Sequence, residues 1–214
     1  MNYLYLHGFA SGPQSQKAKF LQNQFSQIGL TLPVPDLNLG DFTKVTLSAQ
    51  LQYLNREFGD RPLIAIGSSL GGFLALQMAI ANPQIEKLIL LAPAFEFGQR
   101  LAEGLGAEAI AQWQATGSRD FFHYSLNRQL PLKYEFFADA QTYVGKVLTC
   151  NIPILIIHGL QDDVIPFRLS QAFAETHPDV TLRLVESDHS LGGEMLDYIW
   201  QETARFLMLR HSVC

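Results

Sequence analysis

The fold of this chain is decided by residues 63–71, which read LIAIGSSLG. The apolar run Leu63–Ile66 predicts a buried strand, and the apolar stretch of about Leu70–Ala81 predicts a helix that follows it. Between them lies a Gly-x-Ser-x-Gly pattern whose central residue is Ser69. Alone, the pattern is also found in ordinary Gly- and Ser-rich turns. At a sharp strand-to-helix turn it holds the serine hydroxyl exposed above the sheet, so we predict Ser69 as a nucleophile.

Strand and helix patterns alternate along most of the chain. Residues 15–28 form an amphipathic pattern closed by Gly29, and residues 47–58 form another, closed by Gly59. Continuous apolar strands separated by helices favour a parallel sheet covered on both faces. We therefore predict an α/β fold with about six mostly parallel strands. The predicted strands are Tyr3–Leu6, Leu30–Val34, Leu63–Ile66, Lys87–Leu91, Ile154–Ile157 and Val180–Val185.

Residues 95–147 interrupt this alternation and are too long for a simple crossover. They contain a helical pattern at about 100–114 and a hairpin-like alternation over 121–137. The segment is either an elaborated crossover or a small cap over a substrate pocket, and the preference of ligands for the carboxyl ends of parallel strands favours the cap. We predict one domain, residues 1–214, with this cap-like insertion. The aromatic residues expected to contact substrate there are Phe121, Phe122 and His123, with Phe136 and Phe137 also able to line an apolar pocket.

A nucleophilic serine needs a base, and the base needs an orienting acid. When the serine follows a strand in this way, the acid comes later in the chain and the histidine comes last. The strand at 154–157 runs into a turn that carries Asp162 and Asp163, which cannot both face one imidazole. We predict Asp162 as the acid and keep Asp163 as the alternative. A plain Asp-rich turn is the remaining interpretation.

The base is expected just beyond the last strand, where His189 lies. Its neighbour Asp188 is predicted to order the loop. Four of the other five histidines are assigned structural or surface positions. His7 and His158 end strands before a glycine and are predicted to order loops, whereas His177 and His211 are predicted at the surface.

An acyl-transfer site also needs two N–H groups directed at the oxyanion of the tetrahedral intermediate. One is predicted to be the backbone N–H of Leu70, at the start of the helix after Ser69, where the helix dipole helps. The other is expected from the loop after the first strand, as the backbone N–H of Phe9. The Phe9 side chain is then expected to shape the substrate pocket.

Composition restricts the class of protein further. The chain has 214 residues, of which 48% are hydrophobic and 16% charged, which suits a compact core. Its net charge of −5 argues against nucleic acid or an anionic membrane as the main partner. No apolar run approaches the roughly 20 residues that span a bilayer, and the N-terminus lacks the pattern of a signal peptide. We therefore expect a cytoplasmic protein.

No cofactor is predicted. The chain has no zinc-binding, P-loop or dinucleotide-binding pattern at a strand–helix junction. Cys150 and Cys214 are far apart and predict two free thiols, not a disulfide. The expected partner is a small acyl substrate, and the expected state is a monomer or small homo-oligomer.

Taken together, residues 6–9, the 67–71 turn, residues 158–166 and the Asp188-His189 pair resemble the α/β-hydrolase superfamily across nearly the whole chain. The opening residues 3–13, with Ser15 and Lys17, are most similar to the small bacterial YqiA/YcfP-type esterases. The resemblance implies hydrolysis of carboxylic esters or thioesters of small to medium acyl groups, through Ser69, His189 and Asp162. The first two antiparallel strands of larger superfamily members have no counterpart here, which implies a six-stranded, all-parallel sheet.

Two other functions are compatible with the same pattern. The same three residues can cleave a carbon–carbon bond or catalyse lyase-like steps, with the substrate making the difference. A catalytically silent binding protein of this fold is the third possibility. Such proteins usually lack one of the three residues, whereas this chain has all of them.

Overall fold

The computed structural model describes residues 1–146 and 148–209, so the predictions for His211 and Cys214 lie outside the described residues. In chain order the helices and strands are β1 (Asn2–Leu6), α1 (Gln16–Gln27), α2 (Leu47–Phe58), β2 (Leu63–Ser68), α3 (Leu70–Ala81), β3 (Ile85–Leu91), α4 (Phe97–Thr116), β4 (Ser118–His123), β5 (Arg128–Lys133), α5 (Tyr134–Gln141), β6 (Ile154–Gly159), α6 (Arg168–Thr176), β7 (Val180–Val185) and α7 (Met195–Leu207).

The central sheet has five strands in the order β1-β2-β3-β6-β7. Every neighbouring pair is parallel, with registers such as Tyr5 opposite Ile66 and Ile89 opposite Leu155. Parallel neighbours place the carboxyl ends of all five strands at one edge of the sheet. The predicted α/β class with a parallel sheet is confirmed.

The predicted strand at Leu30–Val34 is wrong, because this segment is irregular in the structure. It lies beside β1, where the Tyr5 N–H donates to the Pro33 carbonyl (2.9 Å). Pro33 and Pro35 have no N–H, so this stretch cannot extend that single bond into a ladder. Five of the six predicted strands are therefore present in the sheet.

Alternate residues of each strand point to opposite faces of the sheet. On one face, Tyr5, Ile66 and Ile157 pack with Phe25 of α1 and Trp200 of α7. The opposite face is covered by α2, α3 and α6 together with the inserted segment. Its buried residues include Leu4, Leu6, Ala65, Leu90, Ile156, Leu54, Phe73 and Phe173. Helices on both faces follow from strands that are apolar on both sides.

The inserted segment consists of α4, the antiparallel hairpin β4–β5 and α5. The predicted helix and hairpin are present, although residues 134–137 belong to α5 and not to the hairpin. Trp113 of α4 donates from Nε1 to the Leu132 carbonyl (2.8 Å) and is 1% exposed. Asp139 of α5 accepts from the Ser48 N–H (2.8 Å) and hydroxyl (2.6 Å) at the start of α2. The segment is thus attached to the sheet layers by side chains as well as by its ends.

None of the helices within the described residues is both long enough and apolar enough to cross a membrane.

Candidate active site

Ser69 lies in a strained turn between β2 and α3. Its backbone has φ 54° and ψ −118°, a positive φ that non-glycine residues rarely adopt. The turn is tight because a Cβ on Gly67 would lie 2.3 Å from the Gly71 carbonyl oxygen, and one on Gly71 would lie 2.1 Å from the Leu6 carbonyl oxygen. Only glycine fits at these two positions, which is why the predicted strand–serine–helix turn can form.

His189 lies between Ser69 and Asp162. Its Nδ1 is 2.7 Å from Asp162 Oδ2, and its Nε2 is 3.1 Å from the Ser69 hydroxyl oxygen. A carboxylate can only accept, so Nδ1 carries the proton and Nε2 of the neutral ring accepts from the serine hydroxyl. In this tautomer the imidazole can take the hydroxyl proton.

Asp162 is held at the end of β6 by four donors. Its Oδ1 accepts from the N–H groups of Val164 (2.9 Å) and Ile165 (2.7 Å). Its Oδ2 accepts from His189 and from His158 Nε2 (3.0 Å). Burial raises the pKa of Asp162, but the hydrogen bonds from His158, His189 and Ile165 outweigh it and hold the pKa well below its ordinary value. The acid therefore stays ionised at neutral pH.

The second histidine bound to Asp162 was not predicted as part of the site. His158 is fully buried, and its Nε2 also lies 3.0 Å from the Ile165 carbonyl. Because both neighbours of Nε2 are acceptors, Nε2 carries a proton and donates to them, while Nδ1 lies 2.7 Å from the Ser170 hydroxyl oxygen. His158 therefore orders the loop, as predicted, by holding the Asp162 carboxylate in place. The four-residue spacing His158–Asp162 in the sequence was the available signal.

Backbone contacts hold the acid turn against the loop that carries His189. The Leu160 N–H donates to Val185 (2.8 Å) and the Gln161 N–H donates to Ser187 (3.0 Å). A Cβ on Gly159 would lie 2.2 Å from the Ser187 carbonyl oxygen, so the close approach requires glycine. The Asp162–His189 distance is thus set mainly by the ends of β6 and β7.

Asp163, the alternative acid, is exposed and lies on the wall of the cavity beside Ser69. It forms no hydrogen bond with any described residue, and Asp162 is the carboxylate next to His189. Asp188 accepts from the Ser190 N–H (2.9 Å) and hydroxyl (2.6 Å), as a loop-ordering residue does.

The two predicted oxyanion donors belong to segments that lie beside Ser69. A Cβ on Gly8 would be 3.5 Å from the Ser69 Cβ, so the loop that carries Phe9 runs directly past the serine. Leu70 is the first residue of α3, whose N–H has no acceptor within the helix. Within residues 1–146 and 148–209, neither the Phe9 nor the Leu70 N–H has a hydrogen-bond acceptor.

Ser69 and His189 open into a cavity of about 500 Å³. Of the predicted pocket residues, Phe9 lines it. Two further wall residues, Lys17 of α1 and Tyr124 of the hairpin turn, were not predicted as site residues. The structure does not bring the other predicted aromatic residues to this wall. Phe121 packs behind Phe9, Phe122 is exposed against Tyr124, and Phe136 and Phe137 are buried in the core.

His123 lies in a second cavity, of about 440 Å³, beside Asp36 and Arg128. The side chain is 2% exposed, and neither ring nitrogen has a hydrogen-bond partner among the described residues. Burial lowers the pKa of His123, so the ring is neutral at neutral pH. Its ring packs edge to face with Phe42, 5.0 Å away, which can accommodate an N–H over the aromatic face.

No group of three or more His, Cys, Asp and Glu side chains in the described part of the chain is arranged to hold a metal ion. Cys150 is a buried free thiol, and burial raises its pKa, so the thiolate is disfavoured.

The parallel sheet and the strand–serine–helix turn, with an acid after β6 and a histidine after β7, define an α/β-hydrolase fold. Solved structures agree with this class. Mouse alpha/beta hydrolase domain-containing protein 10 superposes with a TM-score of 0.78 at 22% identity, covering 97% of this chain and 89% of the mouse chain. Est1E from Butyrivibrio proteoclasticus, with ferulic acid bound, gives 0.75 at 21% identity, covering 97% and 90%.

The chain belongs to the family described as "Uncharacterised protein family (UPF0227)", which it matches over residues 2–207. A curated relative is human mitochondrial palmitoyl-protein thioesterase ABHD10, 32% identical over 143 residues, which are 63% of this chain and 46% of the human protein. The chain thus spans about half the length of that relative.

Proposed function

We propose that this protein is a serine hydrolase that cleaves carboxylic esters or thioesters of small to medium acyl groups. The observation that carries the proposal is the position of His189. Its two ring nitrogens reach the Ser69 hydroxyl (3.1 Å) and the ionised Asp162 (2.7 Å) in the tautomer that a general base requires.

In the proposed reaction, the Ser69 oxygen attacks the acyl carbonyl carbon as its proton passes to His189 Nε2. The tetrahedral oxyanion accepts from the N–H groups of Phe9 and Leu70. The bond to the leaving group then breaks, and His189 returns the proton to the departing oxygen or sulfur. A water molecule, deprotonated by His189, attacks the acyl-enzyme, and the acid and free Ser69 are released. Asp162 keeps the imidazole oriented and stabilises its charged form throughout.

The ester or thioester class is supported by the named human relative, a palmitoyl-protein thioesterase. The identity of the acyl group is a separate question. Phe121 and Phe136 pack on Phe9, and Phe136 and Phe137 are buried, so these rings do not add to the apolar wall of the Ser69 cavity, which favours a compact acyl group.

We also propose that the insertion at about 95–147 acts as a cap within a single domain. Tyr124, in the turn of its hairpin, lies on the wall of the Ser69 cavity. The Tyr124 N–H donates to the Ala10 carbonyl (2.8 Å), so the hairpin is attached to the loop that carries Phe9. Ala10 has a positive φ of 49°, a strained conformation that such a bond helps to maintain.

The test is the rapid release of nitrophenol from 4-nitrophenyl acetate together with labelling by a fluorophosphonate. Ser69→Ala is expected to lose both, with turnover reduced by at least about a thousandfold. Ser68→Ala, which changes the adjacent serine, is the matched control and is expected to keep labelling. A Ser69→Ala protein with full activity contradicts the proposal.

Two other outcomes identify the alternatives. Stoichiometric labelling of Ser69 without turnover of any ester or thioester favours carbon–carbon bond cleavage. Tight retention of an unaltered small ligand without labelling favours a binding protein.

A further inference from the structure

Lys17 is a charged side chain of the Ser69 cavity that the proposed reaction does not use. It lies in the first turn of α1, half-buried, and its ammonium donates to the Ser190 carbonyl, one residue after His189. Ser190 supplies its only hydrogen-bond acceptor among the described residues. Two of the three ammonium protons are therefore available to a molecule in the cavity.

The contact with Ser190 determines which part of a substrate Lys17 can reach. In acyl transfer the leaving group departs on the side of the histidine, because His189 Nε2 delivers its proton. Lys17 is hydrogen-bonded to the residue next to that histidine and lines the same cavity. The ammonium is thus on the side of Ser69 from which the leaving group departs.

The charges around Lys17 leave it available for a ligand. It is the only lysine or arginine among the residues that line this cavity. Asp188 forms no direct ion pair with it and is bonded to Ser190, while Asp163 is exposed to solvent. An ammonium partly removed from water is stabilised most by an anionic acceptor, because charge-assisted hydrogen bonds are the strongest kind.

We propose that Lys17 binds an anionic group, a carboxylate or a phosphate, carried by the leaving group of the substrate. The inference rests on the proposed hydrolase function and names the class of its substrate. The expected substrate is a compact acyl ester or thioester of a negatively charged alcohol or thiol, whose anionic group binds Lys17. Lys17 is then a specificity-determining residue that contacts substrate.

The protonation of Lys17 predicts how the preference depends on pH. Burial lowers the pKa of Lys17 to about 8, against the opposing attraction of Asp188 and Asp162. The ammonium is charged below this value and neutral above it, so the preference for an anionic leaving group should decline as the pH rises through about 8. The other titratable groups near Lys17 are Asp162 and Asp163 from the acid turn, Asp188 and His189 from the histidine loop, and Tyr5 and Tyr124 of the cavity wall. Lys17→Met keeps all of them, so a pH dependence of the preference that is present in the wild type and absent from Lys17→Met is due to Lys17.

The experiment compares three acetate esters that share one phenyl ring. They are 4-acetoxybenzoate, 4-acetoxyphenyl phosphate and the neutral methyl 4-acetoxybenzoate. The first two distinguish a carboxylate from a phosphate. The variants are Lys17→Met, which keeps the apolar stem, and Lys17→Arg, which keeps the charge.

Lys17→Met is expected to lower kcat/KM for at least one anionic ester by about tenfold to a hundredfold, mainly through KM, with a several-fold smaller loss for the neutral ester. Lys17→Arg is expected to retain the preference and to keep it above pH 8, because a guanidinium stays charged there. For each protein, the kcat/KM of each anionic ester is divided by that of the neutral ester. These two ratios are measured across pH 6.5–9.5, on the order of 1.5 units either side of the Lys17 transition.

Equal losses for charged and neutral esters in Lys17→Met overturn the inference and reduce Lys17 to a structural link to the histidine loop. A wild-type protein with no preference for either anionic ester over the neutral one also overturns it. Failure of the proposed function is a distinct result, since the wild-type protein would then hydrolyse none of the three esters faster than Ser69→Ala.

Discussion

Two buried histidines show how the carboxyl ends of the central strands differ from the inserted segment. His158, at the end of β6, is bonded to Asp162, Ile165 and Ser170. His123, at the end of β4, is nearly as buried and has no hydrogen-bond partner among the described residues. Both lie at or next to the end of a strand and both have polar groups nearby, since Asp36 and Arg128 line the cavity beside His123, but only His158 is hydrogen-bonded to its polar neighbours.

The difference teaches where chemistry can be placed in this fold. At the carboxyl ends of the strands, neighbouring loops come together, so that His158 and His189 both bond to the same oxygen of Asp162. In the inserted segment, most aromatic side chains pack against other rings. Phe9 contacts Phe97, Phe121 and Phe136 of this segment, and Phe42 outside it. The sheet edge can therefore position acids and bases, whereas the segment supplies shape.

The largest effect is expected at the sheet edge. Asp162→Asn removes the charge that orients His189 and stabilises its protonated form, and the related change in a serine protease lowers turnover about ten-thousandfold. We expect a loss in kcat of at least about a hundredfold, or about 2.7 kcal/mol, with 4-nitrophenyl acetate.

Asp163→Asn is the matched control, because it removes the adjacent carboxylate, which forms no hydrogen bond with a described residue. Its kcat is expected to stay within a few-fold of wild type. An inactive but folded Asp163→Asn protein, with an active Asp162→Asn protein, would move the acid one residue along the turn.

Substitutions in the inserted segment are expected to change the stability of the protein and not its kcat. Trp113→Phe keeps an aromatic ring but removes the donor to the buried Leu132 carbonyl (2.8 Å). We expect the free energy of unfolding, measured by urea denaturation, to fall by about 2 kcal/mol. The kcat of the folded variant should stay within about threefold. Phe122→Leu, at an exposed site of the same hairpin, is expected to change neither quantity, and a large loss of kcat in Trp113→Phe would show that the segment takes part in chemistry.

The two histidines can be tested against each other directly. His158→Leu removes one of the two donors to Asp162 Oδ2, and we expect kcat to fall about tenfold, or about 1.4 kcal/mol, with KM little changed. His123→Leu removes a buried polar ring that has no hydrogen-bond partner, so unfolding free energy is expected to stay equal or to rise. A His123→Leu variant with impaired turnover and unchanged stability would show that the second cavity contributes to the reaction.

The smallest expected effect concerns acid stability. The pKa of Asp162 is depressed in the folded protein, so its ionised form contributes stability above its ordinary pKa of about 4, and that contribution is lost as the pH falls below this value. Asp162→Asn lacks this contribution. The free energy of unfolding of the wild type should therefore decrease more steeply than that of Asp162→Asn between about pH 4 and pH 2. Parallel curves for the two proteins would contradict the depressed pKa.

Chain order was enough to locate the groups that a parallel sheet gathers. Ser69, Asp162 and His189 each follow a strand, and the carboxyl ends of parallel strands meet at one edge, so sequence position predicts their proximity. The Leu30–Val34 strand failed because apolar content was weighed without the missing N–H groups of Pro33 and Pro35.

Contacts made between distant elements could not be read from the sequence. Lys17 reaches Ser190 from a helix at the other end of the chain, and Tyr124 reaches the cavity only because the hairpin folds over the Ala10 loop. The prediction for the aromatic residues of the insertion was wrong for the converse reason, because it assigned them to the pocket on their apolar character alone. Phe136 and Phe137 are instead buried in the core.

The irregular segment beside β1 has a consequence for the behaviour of the protein at high concentration. β1 is an edge strand, and an open edge can template pairing with another molecule and lead to aggregation. Here the edge is covered by chain that bonds to it once, at Tyr5, and that presents prolines at 33 and 35. Because proline cannot donate to a new ladder, the covering segment does not itself become a further edge for pairing.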